Sequence, residues 1–594
     1  MELKSRAEMD PRYTWDLTPI YENDEAWEAE LAAAAETVKA LSALPGTLSD
    51  SVEDMKSGLE AVFAASEKMD RLYCYAYLRK SGDNGDAKSQ EMEARCISLL
   101  TAFQSAVSFL NPEILAMDPE KLKGFMADEQ MATYRHMVED ICRARAHTLD
   151  AQREKMLAML SDAAQTPSNV YDMFESVDVS FESVVGADGQ EQPLSHGSFA
   201  VYRESRDRTL RADAFAKYFG AFGKFINTLA AMYAGSVKFD CYYADVRGYD
   251  SACDAALFGD NVPVKLYDNL VNVVGSGLDT MKRYLNLRKK LLGVDELHLY
   301  DLYVPIVDEV DFGMSYEEAC ALVKEALKPL GEEYGKLLDR AFAERWIDVY
   351  ENKGKTTGAY SMGVYGVHPY VLLNHADTLD SAFTLAHELG HALHSFHSDA
   401  AHDYVNHDYS IFVAEVASTV NEVLLTKHLL KVETDPKRIA YILNHFLEGF
   451  RTTVFRQTQF AEFERKAHEM HQSGTPLTAD SLNQVYRELN AKYYQGVVLD
   501  DYTDVEWARI PHFYRAFYVY QYSTGFCSAV SIADRILNGN GAADYLRFLS
   551  TGGSDYPIEE LKTAGVDLTE PTALESAMRV FAETMDQMER AMEK

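Results

Sequence analysis

Along most of the chain, apolar residues recur at three- and four-residue spacing, which predicts a protein built of helices. Segments near 25–44, 51–82, 85–111, 118–146, 208–238, 263–292, 316–346, 409–431, 436–471 and 571–593 carry that period. They are rich in Ala, Leu, Glu and Lys and almost free of internal proline, as helix propensity asks. Connections carry proline, glycine or Asx residues, as in Leu110-Asn-Pro112, Gly259-Asp-Asn-Val-Pro263 and Gly474-Thr-Pro476. Strand-like material is sparse. Val177–Val184, followed by Asp188-Gly189, reads as a hairpin, and Gly358–Asn374, with glycines at 358, 363 and 366, reads as a second extended stretch. The polar, turn-rich region around 186–208 predicts a boundary between an N-terminal helical region, 1–195, and the remainder, 196–594.

Composition narrows this picture without redirecting it. A chain of 594 residues has material for two or three lobes, and 47% hydrophobic with 25% charged residues is the balance of a soluble globular protein. The opening MELKSRAEMDPRYTWDL lacks an apolar core, so no signal peptide is expected. No window approaches eighteen uninterrupted apolar residues, so no membrane span is expected either. Seven cysteines (Cys74, Cys96, Cys142, Cys241, Cys253, Cys320 and Cys527) are scattered, odd in number and never in CxxC. That argues against a disulfide framework or a thiolate zinc site and favours a reducing compartment, with the cytoplasm as the expectation. A net charge of −36 argues against nucleic acid as a partner, since phosphate binding needs a basic footprint. Oligomeric state is left open.

The chemistry sits in Ala386-His-Glu-Leu-Gly-His-Ala-Leu-His-Ser-Phe-His397. Asp380 is the expected N-cap of a helix 381–397. On such a helix His387 and His391 lie one turn apart, so both imidazoles leave the same face and can grip one ion. Glu388, one position on, is turned from direct ligation but stands within reach of an attacking water. A metallopeptidase needs that arrangement: neutral imidazoles leave zinc positively charged, and the carboxylate takes a proton from water. Leu385, Leu389, Leu393 and Phe396 form a stripe opposite the histidines, and Gly390 implies a close neighbour near the metal face.

A third ligand is still required. His397 would serve if the chain left the helix at a glycine before it, but position 394 is histidine. With the helix continuing, His397 falls about 15 Å along the axis from His387 and roughly 80° off the ligand face. It reads as an ordinary polar residue. His394 lies on the ligand face but about two turns from His387, too far for the same ion; it either lines the site or sits on the surface. Glu415 is the better candidate, because it interrupts an otherwise small and apolar run, Phe412, Val413, Ala414, Val416 and Ala417, where an unpaired charge is costly. Glu422, seven residues on, shares its face and is either an acceptor for an imidazole or a surface glutamate.

HELGHALHS followed by FVAEVASTVNE resembles the thimet oligopeptidase superfamily of zinc peptidases, in particular its oligoendopeptidase F branch. Tyr13-Thr-Trp-Asp-Leu17, Gly358-Ala-Tyr-Ser361 and Ile510-Pro-His-Phe-Tyr-Arg-Ala-Phe-Tyr-Val-Tyr-Gln-Tyr-Ser-Thr-Gly525 carry the likeness across nearly the whole chain. The resemblance implies a mainly α, two-lobed zincin enclosing a deep channel for short unfolded peptides, with a small antiparallel sheet near the active site. It makes 196–594 the metallopeptidase domain, His387, His391 and Glu415 the ligands of one Zn2+ per chain, and Glu388 the general base. It also implies a histidine and tyrosines near the C-terminus that bind substrate and stabilise the transition state. The residues agree: amide attack builds an oxyanion, and His512, Tyr514, Tyr518, Tyr520 and Tyr522 offer neutral donors for it. At helical spacing Tyr514, Tyr518 and Tyr522 share a face while Tyr520 points elsewhere. His512 and Tyr518 are favoured, then Tyr522 and Tyr514.

The expected activity is therefore zinc-dependent hydrolysis of internal bonds in short peptides. Two rivals stand beside it. One is a C-terminal exopeptidase, a carboxypeptidase or dipeptidyl carboxypeptidase of the same fold, which needs a cation such as Arg515 for the terminal carboxylate. The other is a non-catalytic peptide-binding metalloprotein, for which Glu388 would have no use.

Overall fold

The computed structural model describes residues 3–307 and 312–593. It is mainly helical and divides into two compact units assembled from separated stretches of chain. The first unit comprises Met1–Ala146, Asp311–His428 and Ile532–Val566, and the second His147–Val310, Leu429–Ser531 and Asp567–Lys594. The units thus run across the 1–195 and 196–594 division that the turn-rich region suggests. No helix is long and apolar enough to cross a membrane among the described residues.

In the first unit, helices Asp24–Ala40, Val52–Gly82 and Ala87–Val107 start where Asn23, Ser51 and Asp86 side chains accept from backbone N–H groups of the first turn. Their apolar faces bury Trp27, Leu31, Leu72, Tyr75, Met92 and Phe103 in one core that also takes in Tyr370 and Leu372 of a small sheet. In that sheet Tyr360–Met362 pairs antiparallel with Tyr370–Leu372, as the extended stretch predicts, and Ile347–Asp348 adds on the other side in parallel. The Tyr13–Leu17 motif is tied to this edge. Val349 N–H donates to the Tyr13 carbonyl at 2.9 Å, and Trp15 packs edge-on against Tyr370. Asp348, wholly buried, is paired by Arg6 and by Lys355 Nζ at 2.8 Å.

Several expected helices are interrupted, each for a visible reason. The 118–146 segment breaks where Asp128 caps a 3-10 turn, Glu129–Tyr134. The 263–292 segment breaks at Gly277, where a Cβ would meet Met578 Sδ at 2.8 Å and Phe455 Cζ at 3.1 Å. The 316–346 segment breaks at Lys328-Pro-Leu330 and Gly331, the latter at φ 98°. The 208–238 segment becomes Arg208–Gly223 and Ile226–Arg247, ended by Gly248 in the left-handed region. The predicted hairpin is real but displaced: Val184–Val185 pairs with Glu191–Gln192, while Phe174–Asp178 is a π turn. Phe181 stacks on Tyr218 at 5.0 Å, so the apolar side of that segment is covered by a helix and needs no partner strand.

Candidate active site

The histidine helix runs Leu379–Ala401. Its N-cap is Thr378, whose hydroxyl accepts from Ser381 N–H at 3.2 Å; the expected cap, Asp380, instead lies in the first turn, where its charge favours the helix dipole. Leu385, Leu389 and Leu393 are buried as the stripe predicts, and Phe396 stacks on Trp346. His387, His391 and Ser395 form the more open strip on the other side.

Gly390 lets the next helix, Ile411–Val432, lie against this one. A Cβ at 390 would come within 2.5 Å of Ser418 Cα and 2.7 Å of the Ala417 carbonyl oxygen. Asn421 fastens the contact, donating to the Ala386 carbonyl at 3.0 Å and accepting from the Tyr334 hydroxyl at 3.2 Å. This close crossing carries Glu415 to the two histidines. Phe412, Val413, Val416 and Ala417 are buried, but the Glu415 side chain is 52% exposed. The expectation of a charge enclosed by apolar residues is therefore corrected: the helix turns Glu415 to its open face and its neighbours inward.

The donor atoms form a nearly equilateral triangle. His387 Nε2 and His391 Nε2 are 3.2 Å apart, and each is 3.4 Å from Glu415 Oε2. A tetrahedron's edge is about 1.6 times its centre-to-vertex distance, so zinc bonds of about 2.0–2.1 Å require donors about 3.3 Å apart. The residues present fit one such ion. Among the described residues no other trio of His, Cys, Asp or Glu side chains meets as closely. The electrostatics agree. Burial depresses the His387 pKa, but hydrogen bonds to Glu415 and Glu422 outweigh it and raise it to about 10, so this cluster calls for positive charge. Hydrogen bonds from His387 and His391 hold the Glu415 carboxyl well below its ordinary range.

Around the triangle, Glu422 Oε1 accepts from His387 Nδ1 at 2.5 Å, and Ser418 Oγ donates to Glu415 Oε2 at 3.1 Å. Glu388 is buried at 6% exposure, and its Oε2 has no protein partner. Burial raises its pKa, against the pull of His387 and His391. His394 does not sit on the surface: it is wholly buried, stacked on Tyr409 at 3.6 Å with rings 7° from parallel. His397 lies off the donor triangle, facing Tyr334.

In the second unit the 510–525 segment is not one helix. Pro511–Tyr514 is a 3-10 turn, Phe517 has φ 55°, and the helix begins at Tyr520. This bend decides which donors meet. The rings of His512 and Tyr518 are 6.1 Å apart, those of Tyr518 and Tyr522 are 5.5 Å apart, and Tyr522 Oη is 3.4 Å from His512 Nε2. Tyr514 does not join them: it stacks on Tyr171 at 4.7 Å and lies edge-on to Tyr233. Tyr520 is buried beside Tyr267. Arg515 places its guanidinium carbon 4.0 Å from the Tyr518 ring centroid, a cation–π contact. Partial desolvation and then the Arg515 charge lower the His512 pKa, so His512 is neutral at neutral pH. Ser418, Asn421 and Tyr334 are residues of this site that sequence spacing does not single out. Only Ser418, one helical turn beyond Glu415, carries a local signal of its contact.

Residues 201–580 match the family described as Peptidase family M3, and residues 113–181 match Oligopeptidase F. Oligopeptidase PepF of Bacillus subtilis (strain 168) is 43% identical over 597 residues, covering 100% of this chain and 89% of the relative. Group B oligopeptidase PepB of Streptococcus agalactiae serotype III (strain NEM316) is 39% identical, with 99% of each covered. The crystal structure of oligoendopeptidase-F from Enterococcus faecium is similar at a TM-score of 0.73 and 36% identity, over 96% of this chain and 99% of that one.

Proposed function

The chain belongs to Peptidase family M3, and from that premise we propose that His387, His391 and Glu415 hold one zinc ion, with Glu388 as general base. The enzyme is a metallo-oligopeptidase that cleaves internal bonds of short peptides. The donor triangle with edges of 3.2, 3.4 and 3.4 Å, beside a buried carboxylate, is the observation that carries the assignment. Two imidazoles and a carboxylate suit zinc in a hydrolytic role. Zinc, when bound, supplies Lewis-acid polarisation of the scissile carbonyl and acidifies water.

This chain's own groups do the rest. Glu388 takes a proton from the attacking water as its oxygen bonds to the carbonyl carbon. It then delivers that proton to the amide nitrogen as the C–N bond breaks. Its buried, partner-free Oε2 is suited to this exchange, because no fixed hydrogen bond competes for the proton. Glu422 holds the His387 ring, and Ser418 holds the Glu415 carboxylate. His512 and Tyr518, with Tyr522 beside them, bind the peptide and donate to the oxyanion as negative charge gathers on it. Seven scattered, unpaired cysteines support a cytoplasmic location.

The test uses a mixed set of short peptides blocked at both ends, incubated with zinc-loaded wild type and with Glu388→Gln. Mass spectrometry should find internal cuts by wild type and none by the variant, each protein retaining one zinc. Cuts that appear only when the C-terminus is left free would replace this reading with the exopeptidase. An active Glu388→Gln would remove Glu388 from its role.

A further inference from the structure

The turn that brings Tyr518 to His512 is held from beneath by a residue far from it in sequence. Phe517 is a bulky residue in the left-handed region, φ 55°, where side chains other than glycine are rarely found. The residue is 3% exposed, and its ring centroid lies 4.7 Å from that of His468 and 5.9 Å from that of Tyr267. Its N–H points inward and donates to Glu464 Oε1 at 2.7 Å. Glu464 belongs to the helix Arg456–Gln472 and is wholly buried. Oε2 of the same carboxyl has no protein partner.

We propose that Glu464 is a positioning residue for catalysis: its carboxyl fixes the left-handed turn at Phe517 and so sets Tyr518 against His512 and Tyr522. A buried carboxyl is a costly group to keep, and one that makes a single protein hydrogen bond calls for a reason. Here the bond goes to the one strained residue between the 3-10 turn that carries His512 and the helix that carries Tyr522. Glycine would enter this conformation freely but would leave the turn loose. Phenylalanine is held at both ends, by its ring in the core and its N–H on Glu464. Burial raises the Glu464 pKa well above the ordinary carboxylic range, so the group is neutral and glutamine can replace it as acceptor. The helix of Glu464 is braced as well: His468 Nδ1 meets the Glu464 carbonyl at 2.8 Å, and His468 Nε2 meets Asp240 Oδ2 at 3.2 Å.

The proposal rests on the reading that Tyr518 acts in the transition state, and the test separates the two. Full-length, zinc-loaded enzyme is prepared with 3-fluorotyrosine at position 518, as wild type, Glu464→Gln and Glu464→Leu. The fluorine resonance of Glu464→Leu should shift or broaden, while Glu464→Gln keeps the wild-type line. On a blocked peptide, kcat of Glu464→Leu should fall about 10²-fold, the scale of a reacting group misplaced by about 1 Å, with KM nearly unchanged. In a Tyr518→Phe background the same leucine change should cost little more. An unaltered fluorine line in Glu464→Leu overturns the proposal whatever the rates do. So does a kcat loss of equal size with and without the Tyr518 hydroxyl, since Glu464 would then act by another route. Wild-type kcat in Tyr518→Phe would instead remove Tyr518 from the mechanism, with the fluorine line still deciding what Glu464 does. Should Glu464→Leu not fold, Glu464→Met, nearer in shape to a neutral glutamate, takes its place.

Discussion

His387 Nδ1 lies 2.5 Å from Glu422 Oε1, so the outward nitrogen of this imidazole is committed to a carboxylate 35 residues further along the chain. Nδ1–H donates there while Nε2 faces His391 and Glu415, so once Nε2 gives up its proton the lone pair it leaves is aimed at the metal position. Fixing the ring plane before the ion arrives removes an entropic cost from binding. Glu422→Ala should therefore weaken zinc affinity about 10- to 100-fold, and Glu422→Gln, which keeps an acceptor but loses the charge, should fall between. Competition with a chromophoric chelator measures both. Unchanged affinity in the alanine variant would make Glu422 a bystander.

Gly390→Ala tests the crossing that delivers Glu415. The added methyl would sit 2.5 Å from Ser418 Cα and 2.7 Å from Ser418 N, both backbone atoms that cannot rotate aside. The helices must part, at a cost of about 1–3 kcal/mol typical of overpacking, and Glu415 moves with its helix. A lower unfolding midpoint together with weaker zinc binding is the expected pair. Lost stability with wild-type zinc affinity would show that Glu415 reaches the ion independently of this contact.

What was legible beforehand follows from how local each signal is. His387, Glu388 and His391 can be read because four-residue spacing on a helix is itself a statement about geometry. Glu415 stands out as a carboxylate in an apolar run, although the reason is its open face and not burial. The hairpin near 184 is legible through its turn residues, but its register is not, because the cover for Phe181 comes from a helix that the local sequence does not announce. The bend at Phe517 is the deepest miss. Nothing in a phenylalanine signals a positive φ, so Tyr514, Tyr518 and Tyr522 read as one helical face when only the last two share a cluster. Glu464 has no local signal either, since its partner is a backbone N–H 53 residues away.

That bend makes the tyrosines separable. Tyr518→Phe should lower kcat about 10²- to 10³-fold, the effect of losing one oxyanion donor. Tyr514→Phe should leave kcat within about threefold, because its ring contributes packing against Tyr171 and Tyr233. Steady-state rates on a blocked peptide decide it. Comparable losses in both variants would mean that Tyr514 reaches the substrate.

Glu506, in the second unit, predicts the acid side of the stability profile. Its carboxylate accepts from Arg456, from Arg509 at 3.1 Å and from the Tyr486 hydroxyl at 2.8 Å. Burial alone would raise its pKa, but the two guanidinium groups outweigh burial and hold it at about 2. An unfolded glutamate titrates near about 4.3. The folded value is the depressed one, so the stabilisation is complete above the unfolded pKa and is lost as pH falls from about 5 toward about 2. Glu506→Gln keeps an acceptor for Tyr486 but leaves two largely buried guanidinium groups, 11% and 21% exposed, without their carboxylate. At pH 7 it should be less stable by about 3–5 kcal/mol. Below pH 5 that gap should narrow, since the unfolded wild-type chain then takes up a proton at this carboxyl while the folded protein does not until about pH 2. Urea midpoints of both proteins at pH 7 and near pH 3.5 test this: a narrowing gap is expected, and a constant one would mean that Glu506 contributes through shape and not through its charge.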